Sequence, residues 1–303
     1  DGRQYFNVYE PPSWKLENWY HNTPIPDNPV PDIYMTFFKH LTDNRENDIN
    51  YVLDWLAISL QKRNFTYLVT VGAQGVGKGV AGKIMRLLHG ESNYIELAAN
   101  SLKKQFNKQL KNRTLVYFNE AINMAGEVAE KIKLLNEERT EIELKGVDSE
   151  MMKNYANYYF SSNNYDAFKI DDGNRRFSFI DLTKKSFDFN TQDGDKLIDP
   201  KNIKLLANHL YNRKYDVKWE TTVYRSETTS IIAGSGRKDW EIYMEEDFFS
   251  KYKGSIISLK DVVAHLKNRL YRVQWSDVRI FILNNKSKFH LNSKSSPKDA
   301  TLF

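Results

Sequence analysis

The chain has 303 residues, of which 41% are hydrophobic, 14% aromatic and 27% charged, with a formal net charge of +5. This balance predicts a globular protein and excludes a disordered chain. The absence of cysteine excludes disulfides and thiolate metal sites and suits a reducing compartment. No stretch approaches the roughly 20 consecutive apolar residues of a membrane span, so we expect no membrane partner and a cytoplasmic setting.

The N-terminal third begins with a segment rich in proline and aromatic residues, 1–31. Its prolines at 24, 26, 29 and 31 are incompatible with a continuous helix and predict an extended arm. Apolar residues then recur at helical spacing between Asp32 and Gln61, which predicts two helices. We therefore expect an arm and a helical collar over 1–66.

The middle of the chain alternates predicted strands with predicted helices. The strand candidates are FTYLVTV (65–71), TLVYFNE (114–120), NYYFSSNN (157–164) and RRFSFIDL (175–182). The first of these is β-branched and apolar almost throughout, which is typical of a strand buried on both faces. The alternation predicts an α/β fold, with a parallel sheet covered by helices, over residues 67–188.

The C-terminal part, 189–303, is predicted to be a separate basic module. A linker is expected at 189–200 and a hinge at 231–240, and the helix-then-strand pattern beyond them suits a small winged-helix module. Residues 251–303 contain eleven Lys and Arg against three Asp and Glu. That excess indicates contact with a polyanion, although a solvated lysine-rich surface explains it equally well.

A glycine-rich segment, GAQGVGKG at 72–79, follows the first predicted strand and fits the phosphate-loop pattern G-x-x-x-x-G-K. Glycines let backbone N–H groups turn toward a phosphate, and the next helix N-terminus adds its positive dipole end. The lysine then reaches the β- and γ-phosphate oxygens. The predicted nucleotide-binding residues are Gly72, Gly75, Val76, Gly77, Lys78 and Gly79. The alternative is a glycine-rich turn that carries a surface lysine.

The loop lacks the Ser or Thr that normally follows the lysine and holds Mg²⁺, because this position is Gly79. The second predicted strand ends in Asn119 and Glu120, where P-loop ATPases place their metal-binding and water-polarising carboxylates. Glu120 is the candidate carboxylate, and any magnesium is expected near it, whereas Asn119 is neutral. Nucleotide binding therefore follows more directly from these residues than hydrolysis does. The alternative for Glu120 is a solvent-facing residue at a strand end.

Four segments occur in an order that resembles the superfamily 3 helicase-ATPases of viruses, phages and plasmids. They are GAQGVGKG (72–79), LVYFNE (115–120), FSSNN (160–164) and DDGNRRFSFID (171–181). The chain is most similar to the helicase domain at the C-terminal end of phage primase-polymerases of the deep-sea vent type. The resemblance covers roughly residues 32–185. It implies a P-loop AAA+-like fold, ATP and Mg²⁺ as cofactors, and a homo-oligomeric ring, a hexamer in this family.

The resemblance assigns roles only to positions that match its motifs. Lys78 would bind phosphate, Glu120 would be the catalytic carboxylate, and Asn163 would hydrogen-bond the γ-phosphate or the attacking water. Arg175 and Arg176 match the arginine-finger region that reaches into a neighbouring subunit's nucleotide site, with a slight preference for Arg176. The alternative for this pair is salt bridges with the acids just before it.

The same resemblance implies a β-hairpin that grips single-stranded DNA in the pore of the ring. The matching segment is 142–155, with Lys145 at the turn and Lys153 on the descending strand. Cations on such a hairpin suit a phosphate backbone that passes through a ring. The alternative is a surface hairpin whose lysines offset the acids in the same segment.

Together these features predict an ATP-dependent DNA helicase or translocase domain of a viral or plasmid replication protein. It would act as a ring on single-stranded or forked DNA, with a covalently linked or associated primase-polymerase. The second hypothesis is a clamp that binds nucleotide with little or no hydrolysis and tethers a primase-polymerase to DNA. A P-loop small-molecule kinase is the third, and the lack of a lid-like arginine cluster argues against it.

Overall fold

The chain forms two compact units, residues 1–236 and 237–303. The computed structural model describes residues 9–98, 101–102, 107–121, 124, 127–144, 147–168, 174–187, 191–226, 229, 239–252, 257–269, 271, 273–284, 294–295 and 301–302. The division at residue 236 falls inside the segment 231–240 that the sequence predicts to be a hinge, and it differs from the predicted boundary at 188/189.

Helices and strands alternate through the first unit. Its helices are α1 (Ser13–His21), α2 (Asp32–Leu41), α3 (Glu46–Gln61), α4 (Lys78–His89), α5 (Asn107–Leu110), α6 (Glu127–Leu134), α7 (Thr191–Ile198) and α8 (Pro200–Asn212). Its strands are β1 (Tyr67–Val71), β2 (Tyr94–Ala98), β3 (Leu115–Asn119), β4 (Arg139–Leu144), β5 (Val147–Lys153), β6 (Asn157–Ser162) and β7 (Phe177–Asp181). This alternation places most of the chain's secondary structure around one sheet.

Five strands form a parallel sheet in the order β2-β3-β6-β1-β7. Alternate side chains of β1 enter two different hydrophobic cores: Tyr67 and Val69 pack on one face of the sheet, and Leu68 packs on the other. Helices α2, α3, α4 and α8 contribute to the core on the Leu68 side, and α6 contributes to the opposite one. Burial on both faces explains the apolar strand sequences. The predicted α/β fold with a helix-covered parallel sheet is confirmed.

The predicted hairpin is present as strands β4 and β5, which pair antiparallel between β3 and β6 in the chain. Arg139 lies opposite Lys153, and Leu144 lies opposite Val147 at the other end. Lys145 lies outside the described residues. The hairpin is separate from the five-stranded sheet, so it can carry a contact surface of its own.

The sequence predicted an extended N-terminal arm, but the structure contains a helix there, α1. Pro12 precedes this helix, where a missing N–H costs no intrahelical hydrogen bond, and the four prolines at 24–31 all follow its end. Trp14 in α1 is buried, and its indole Nε1 donates to the Leu88 carbonyl oxygen at 2.7 Å. This tie attaches the arm to the end of α4.

Two further predictions along the first unit were wrong. The segment 189–200, expected to be a linker, contains α7, whose Leu197 is fully buried and accepts a 3.0 Å hydrogen bond from the Tyr34 hydroxyl. Strand β2 was not predicted because it is a short edge strand with the polar residue Glu96 at its centre.

A salt bridge of 2.7 Å from Arg213 to Asp54 joins the segment after α8 to α3.

The second unit is a small helical module. Its described elements are helices Asp239–Tyr243, Phe249–Lys251, Leu259–Asn268 and Trp275–Asn284, a π-helical turn Met244–Phe248, and the antiparallel pair Lys294–Ser295 and Thr301–Leu302. Its core is built on Trp240, Met244 and Leu266. The helix of the predicted helix-then-strand pattern is present as Leu259–Asn268, and a second helix, Trp275–Asn284, follows it. The winged-helix assignment stays a prediction.

Candidate functional site

The glycine-rich segment forms a turn between β1 and α4 that needs its glycines. Gly75 has φ +83° and Gly77 has φ +113°, backbone conformations that residues with a Cβ rarely adopt. The Gly77 carbonyl oxygen then accepts hydrogen bonds from the N–H groups of Val80 and Ala81, both at 3.0 Å, which starts the helix. The loop therefore turns sharply and leads directly into a helix N-terminus, as the sequence predicts.

Neighbouring segments hold the outside of this loop. A Cβ on Gly72 would lie 2.7 Å from the Leu182 Cβ, and one on Gly77 would lie 3.1 Å from both Leu41 and Phe37. The Phe187 backbone N–H also donates to the Gly75 carbonyl oxygen at 3.2 Å. Helix α2 and the segment after β7 therefore pack against the loop and hold its conformation.

Lys78 is the cation at the centre of the loop. Its half-buried ammonium donates to the carbonyl oxygens of Gly72 at 2.5 Å and Ala73 at 2.6 Å. Burial lowers the pKa of Lys78, and the nearby Glu120 carboxylate opposes that shift. A partly desolvated ammonium in a glycine-rich turn is well suited to bind an anion.

Glu120 and Asn163 lie at the same edge of the sheet as the loop. Glu120 directly follows β3, is exposed, and has a left-handed backbone with φ +52°. The next residue, Ala121, donates through its N–H to the Ser161 carbonyl oxygen at 2.7 Å, which holds this turn against β6. Asn163 directly follows β6 and is also exposed. The structure thus brings the loop, Glu120 and Asn163 together at the carboxyl edge of the sheet.

Asn119 is held in a hydrogen-bond network on the α4 side of the sheet. Its Oδ1 accepts from the Tyr117 hydroxyl at 3.0 Å and from the Ser161 hydroxyl at 3.1 Å. Its Nδ2 donates to Oε1 of Glu96 on β2 at 2.8 Å. Burial, helped by the carboxylates of Glu96 and Glu120 and opposed by the hydrogen bond with Ser161, raises the pKa of Tyr117 to about 12. The sequence did not predict Glu96 as part of the site, because it did not predict strand β2.

Gly79, which stands where a hydroxyl residue is usual, borders open space. A Cβ built on Gly79 meets no atom within 4 Å, whereas one on Gly82 would lie 2.8 Å from the Tyr117 ring. Both residues lie in α4, but only Gly82 is required for close packing of this helix on β3. A side chain at position 79 is therefore compatible with the fold.

The two arginines lie at the opposite edge of the sheet. Strand β7 is parallel to β1, with Phe177 opposite Tyr67, so Arg175 and Arg176 precede the strand at its amino end. The strand length separates them from the loop of the same chain by about 15 Å. Arg175 is exposed, while Arg176 is half-buried and its Nε has no hydrogen-bond partner among the described residues. Arg175 is therefore the more accessible of the two arginines.

The hairpin carries a cation next to an exposed aromatic ring. The ammonium of Lys153 lies 5.4 Å from the ring centroid of Tyr155, which is 54% exposed. Such a pair offers a charge for phosphate and a face for base stacking. Lys145, the other predicted DNA contact, lies outside the described residues.

A cavity of about 200 Å³ opens at the amino edge of the sheet, away from the loop. Two of its basic lining residues already have partners: Arg63 donates to the carbonyl oxygens of Leu135 and Glu137, just beyond the end of α6, and Lys62 pairs with Glu220 at 2.9 Å. We therefore place the candidate functional site at the carboxyl edge.

None of the described helices has the length and apolar character needed to cross a bilayer. In the part of the chain that the structure describes, His, Asp and Glu side chains form no group of three suited to hold a metal ion.

Residues 70–176 match the model of a family of unknown function, DUF5906. This range covers the loop, the Asn119 network, the hairpin and both arginines. The match therefore includes every candidate site residue named above, and the family description assigns no activity to them.

The chain is also similar to a phage protein. It is 26% identical over 243 residues to the DNA primase-polymerase of Nitratiruptor phage NrS-1, a match that covers 77% of this chain and 32% of the relative. It thus spans about a third of the length of that relative. Two apo structures of the NrS-1 C-terminal region superpose with TM-scores of 0.71 and 0.70, at 18% and 19% identity, covering 100% of this chain and 80% of each. The chain is therefore similar in sequence to a phage primase-polymerase and shares the fold of the C-terminal region of NrS-1.

Proposed function

We propose that the chain is the ATP-driven DNA helicase or translocase domain of a phage replication protein, with a P-loop AAA+-like core of the superfamily 3 type. The observation that carries this proposal is the loop between β1 and α4. It has two positive-φ glycines, leads into a helix N-terminus and holds the partly desolvated ammonium of Lys78 near Glu120. This is the arrangement expected for a triphosphate cradle.

ATP would bind by exchanging the carbonyl contacts of Lys78 for contacts to its β- and γ-phosphates. The loop N–H groups and the N-terminus of α4 would add dipolar stabilisation of the same charge. Glu120, exposed beside the lysine, would orient a water molecule, and Asn163 on the neighbouring strand would hydrogen-bond that water or the γ-phosphate. These roles follow from residues that share one edge of the sheet.

The donor set also fits magnesium, which prefers oxygen ligands and keeps several waters. When bound, magnesium neutralises charge on the phosphate oxygens. Open space beside Gly79 and the carboxylates of Glu120 and Glu96 leave room for a hydrated ion. Because Gly79 and Asn119 supply no charged ligand, the ion would be held mainly through the nucleotide, water and these carboxylates.

Assembly into a ring, a hexamer by resemblance, would complete the site. Arg175 cannot reach the loop of its own chain but is exposed at the far edge of the sheet, so it would act on a neighbouring subunit's nucleotide. The hairpin β4–β5, with Lys153 beside Tyr155, would contact single-stranded DNA in the pore. The phage setting and a linked or associated primase-polymerase are proposed from the similarity to NrS-1.

The test is steady-state ATP hydrolysis by the chain with and without single-stranded DNA, measured where light scattering shows a ring. The proposal predicts hydrolysis that DNA stimulates. Equal, near-zero rates with intact rings would contradict a motor.

Those rates would instead favour the second candidate, a clamp that binds nucleotide without turnover and tethers a primase-polymerase to DNA. The observation that favours the clamp is the absence of a hydroxyl at Gly79 together with the neutral Asn119, whose amide is held in hydrogen bonds with Tyr117, Ser161 and Glu96.

A further inference from the structure

We propose that Glu96 on β2 supplies the negative charge that the neutral Asn119 lacks on the magnesium side of the nucleotide cradle. This inference rests on the proposed nucleotide-binding function. Glu96 lies outside all of the sequence motifs described above, on the strand that sequence analysis missed. The metal-facing surface would then be built from two neighbouring strands rather than one.

The Glu96 carboxylate is held in place yet open to solvent. Its Oε1 accepts from Asn119 Nδ2 at 2.8 Å, and its Oε2 accepts from the Tyr94 hydroxyl at 3.3 Å. A carboxylate has about four acceptor sites, so these two bonds leave capacity on both oxygens. Because Glu96 is exposed, that capacity is available to the waters of a hydrated cation.

Asn119, by contrast, offers a cation no negative charge. The hydroxyls of Tyr117 and Ser161 lie 3.0 and 3.1 Å from its Oδ1 and 2.8 Å from each other, so their two protons serve three contacts and keep Oδ1 hydrogen-bonded. Its Nδ2 is a donor and repels a cation. The group in this network that brings a full negative charge to attract magnesium is therefore the carboxylate to which Asn119 donates.

The network also lies on the correct face of the sheet. Tyr117, which bonds to Asn119, packs directly under Gly82 of α4, the helix that begins with Lys78. Glu96 lies opposite Tyr117 in the β2–β3 register. Magnesium gives up its bound waters reluctantly and usually keeps several of them. A carboxylate one strand away from Asn119 can therefore act on the ion through one of these waters.

A purely structural role, in which Glu96 only orients Asn119, makes a different prediction. Glu96→Gln retains a side-chain oxygen that accepts from Asn119 but removes the charge. If the role is structural, this variant binds nucleotide and magnesium as the unchanged chain does. If the charge matters, the variant loses magnesium coupling while the fold stays intact.

The experiment measures the affinity of the full chain for a fluorescent ATP analogue, in excess Mg²⁺ and in EDTA. The dissociation constant in EDTA divided by the one in Mg²⁺ measures how much magnesium strengthens nucleotide binding, and we call this ratio the magnesium coupling. Its measurement does not require hydrolysis. We expect Glu96→Gln to reduce this ratio by roughly 10- to 100-fold, the usual effect of removing a group that acts on a metal through its ligands. In EDTA the variant should bind slightly more tightly, because one charge that repels phosphate is gone.

Two further variants sharpen the result. Glu91→Gln, which removes an exposed carboxylate that pairs with Arg86 at 2.6 Å, is the matched control and should keep the coupling of the unchanged chain. The double variant Glu96→Gln with Asn119→Asp moves the charge one strand inward and should regain most of the coupling. A merely structural Glu96 predicts no such rescue.

The outcomes separate the two proposals. Coupling in Glu96→Gln equal to that of the unchanged chain overturns the role of Glu96 and leaves the cradle intact. Nucleotide binding by the unchanged chain that does not respond to Mg²⁺ overturns it as well. No saturable nucleotide binding by the unchanged chain overturns the proposed function and Glu96 with it.

Discussion

Two glycines of the loop, only two residues apart, should respond to alanine in opposite directions. Gly77 has φ +113°, and a Cβ there would lie 3.1 Å from side-chain atoms of both Leu41 and Phe37. Gly79 lies in the first turn of α4, and a Cβ there meets no atom within 4 Å. The pair therefore isolates backbone conformation and packing from the simple addition of a methyl group.

The magnitudes follow from these geometries. For Gly77→Ala, a left-handed backbone with a Cβ costs roughly 1–2 kcal/mol, and overpacking adds about 1–3 kcal/mol. We therefore expect a loss of about 2–5 kcal/mol in the free energy of unfolding. For Gly79→Ala, the entropic cost of glycine in a helix is removed, and we expect a gain of about 0.5–1 kcal/mol.

The assay is urea unfolding of the first unit, followed by tryptophan fluorescence and far-UV circular dichroism, for both variants and the unchanged chain. The slope of free energy against urea should be the same in all three, so that midpoints compare stability directly. Equal midpoints for the two variants, or a lower midpoint for Gly79→Ala, would show that the loop does not have the conformation described here.

Three other predictions follow from the site and its surroundings. Gly79→Ser should fold normally. If the chain is a motor whose magnesium is already held by other groups, this change should alter the steady-state ATPase rate by less than about threefold. A large rise from a rate near zero would instead indicate the clamp. Mixing Arg175→Ala with Lys78→Ala subunits, each inactive alone, should restore part of the ATPase, since some interfaces then combine an intact lysine with an intact arginine; a silent mixture would exclude an arginine acting between subunits. His89, fully buried between Ser59 and Thr114, has its pKa lowered by burial to about 3. As pH falls below about 6.5, the imidazole of His89 is protonated in the unfolded chain but stays neutral in the folded one. The stability that His89 contributes is therefore present above that pH and is lost toward pH 3. Unfolding at pH 5.5 should cost about 1.4 kcal/mol less than at pH 7.5 from this residue alone, and His89→Gln should remove that difference; an unchanged pH dependence would contradict it.

The sequence predicts the parts of this fold whose residues act locally. Strands β1, β3, β6 and β7 are short runs rich in apolar and aromatic residues, and the loop needs glycine where the backbone turns, so both can be recognised from a few neighbouring residues. Helix α1 and α7 were not predicted, because proline and glycine nearby suggested a break. Each of these helices is stabilised by a distant partner, such as Leu88 for Trp14 and Tyr34 for Leu197.

The candidate site shows the same limit. Glu120 follows a strand that periodicity identifies, and it lies near Lys78 as expected. Glu96 is brought to Asn119 only by the pairing of β2 with β3, a contact between segments more than twenty residues apart. A short edge strand with a charged residue at its centre gives little hydrophobic signal, so this part of the site required the structure.

Binding of a fluorescent ATP analogue to the chain and to Lys78→Ala tests the central claim most directly. The cradle described here predicts saturable binding that the variant weakens by two or more orders of magnitude, about 3 kcal/mol, as expected when a charge-assisted contact to phosphate is removed. Circular dichroism should show the same helix content in both proteins. Equal affinity of the two proteins, or no saturable binding by either, would contradict the account.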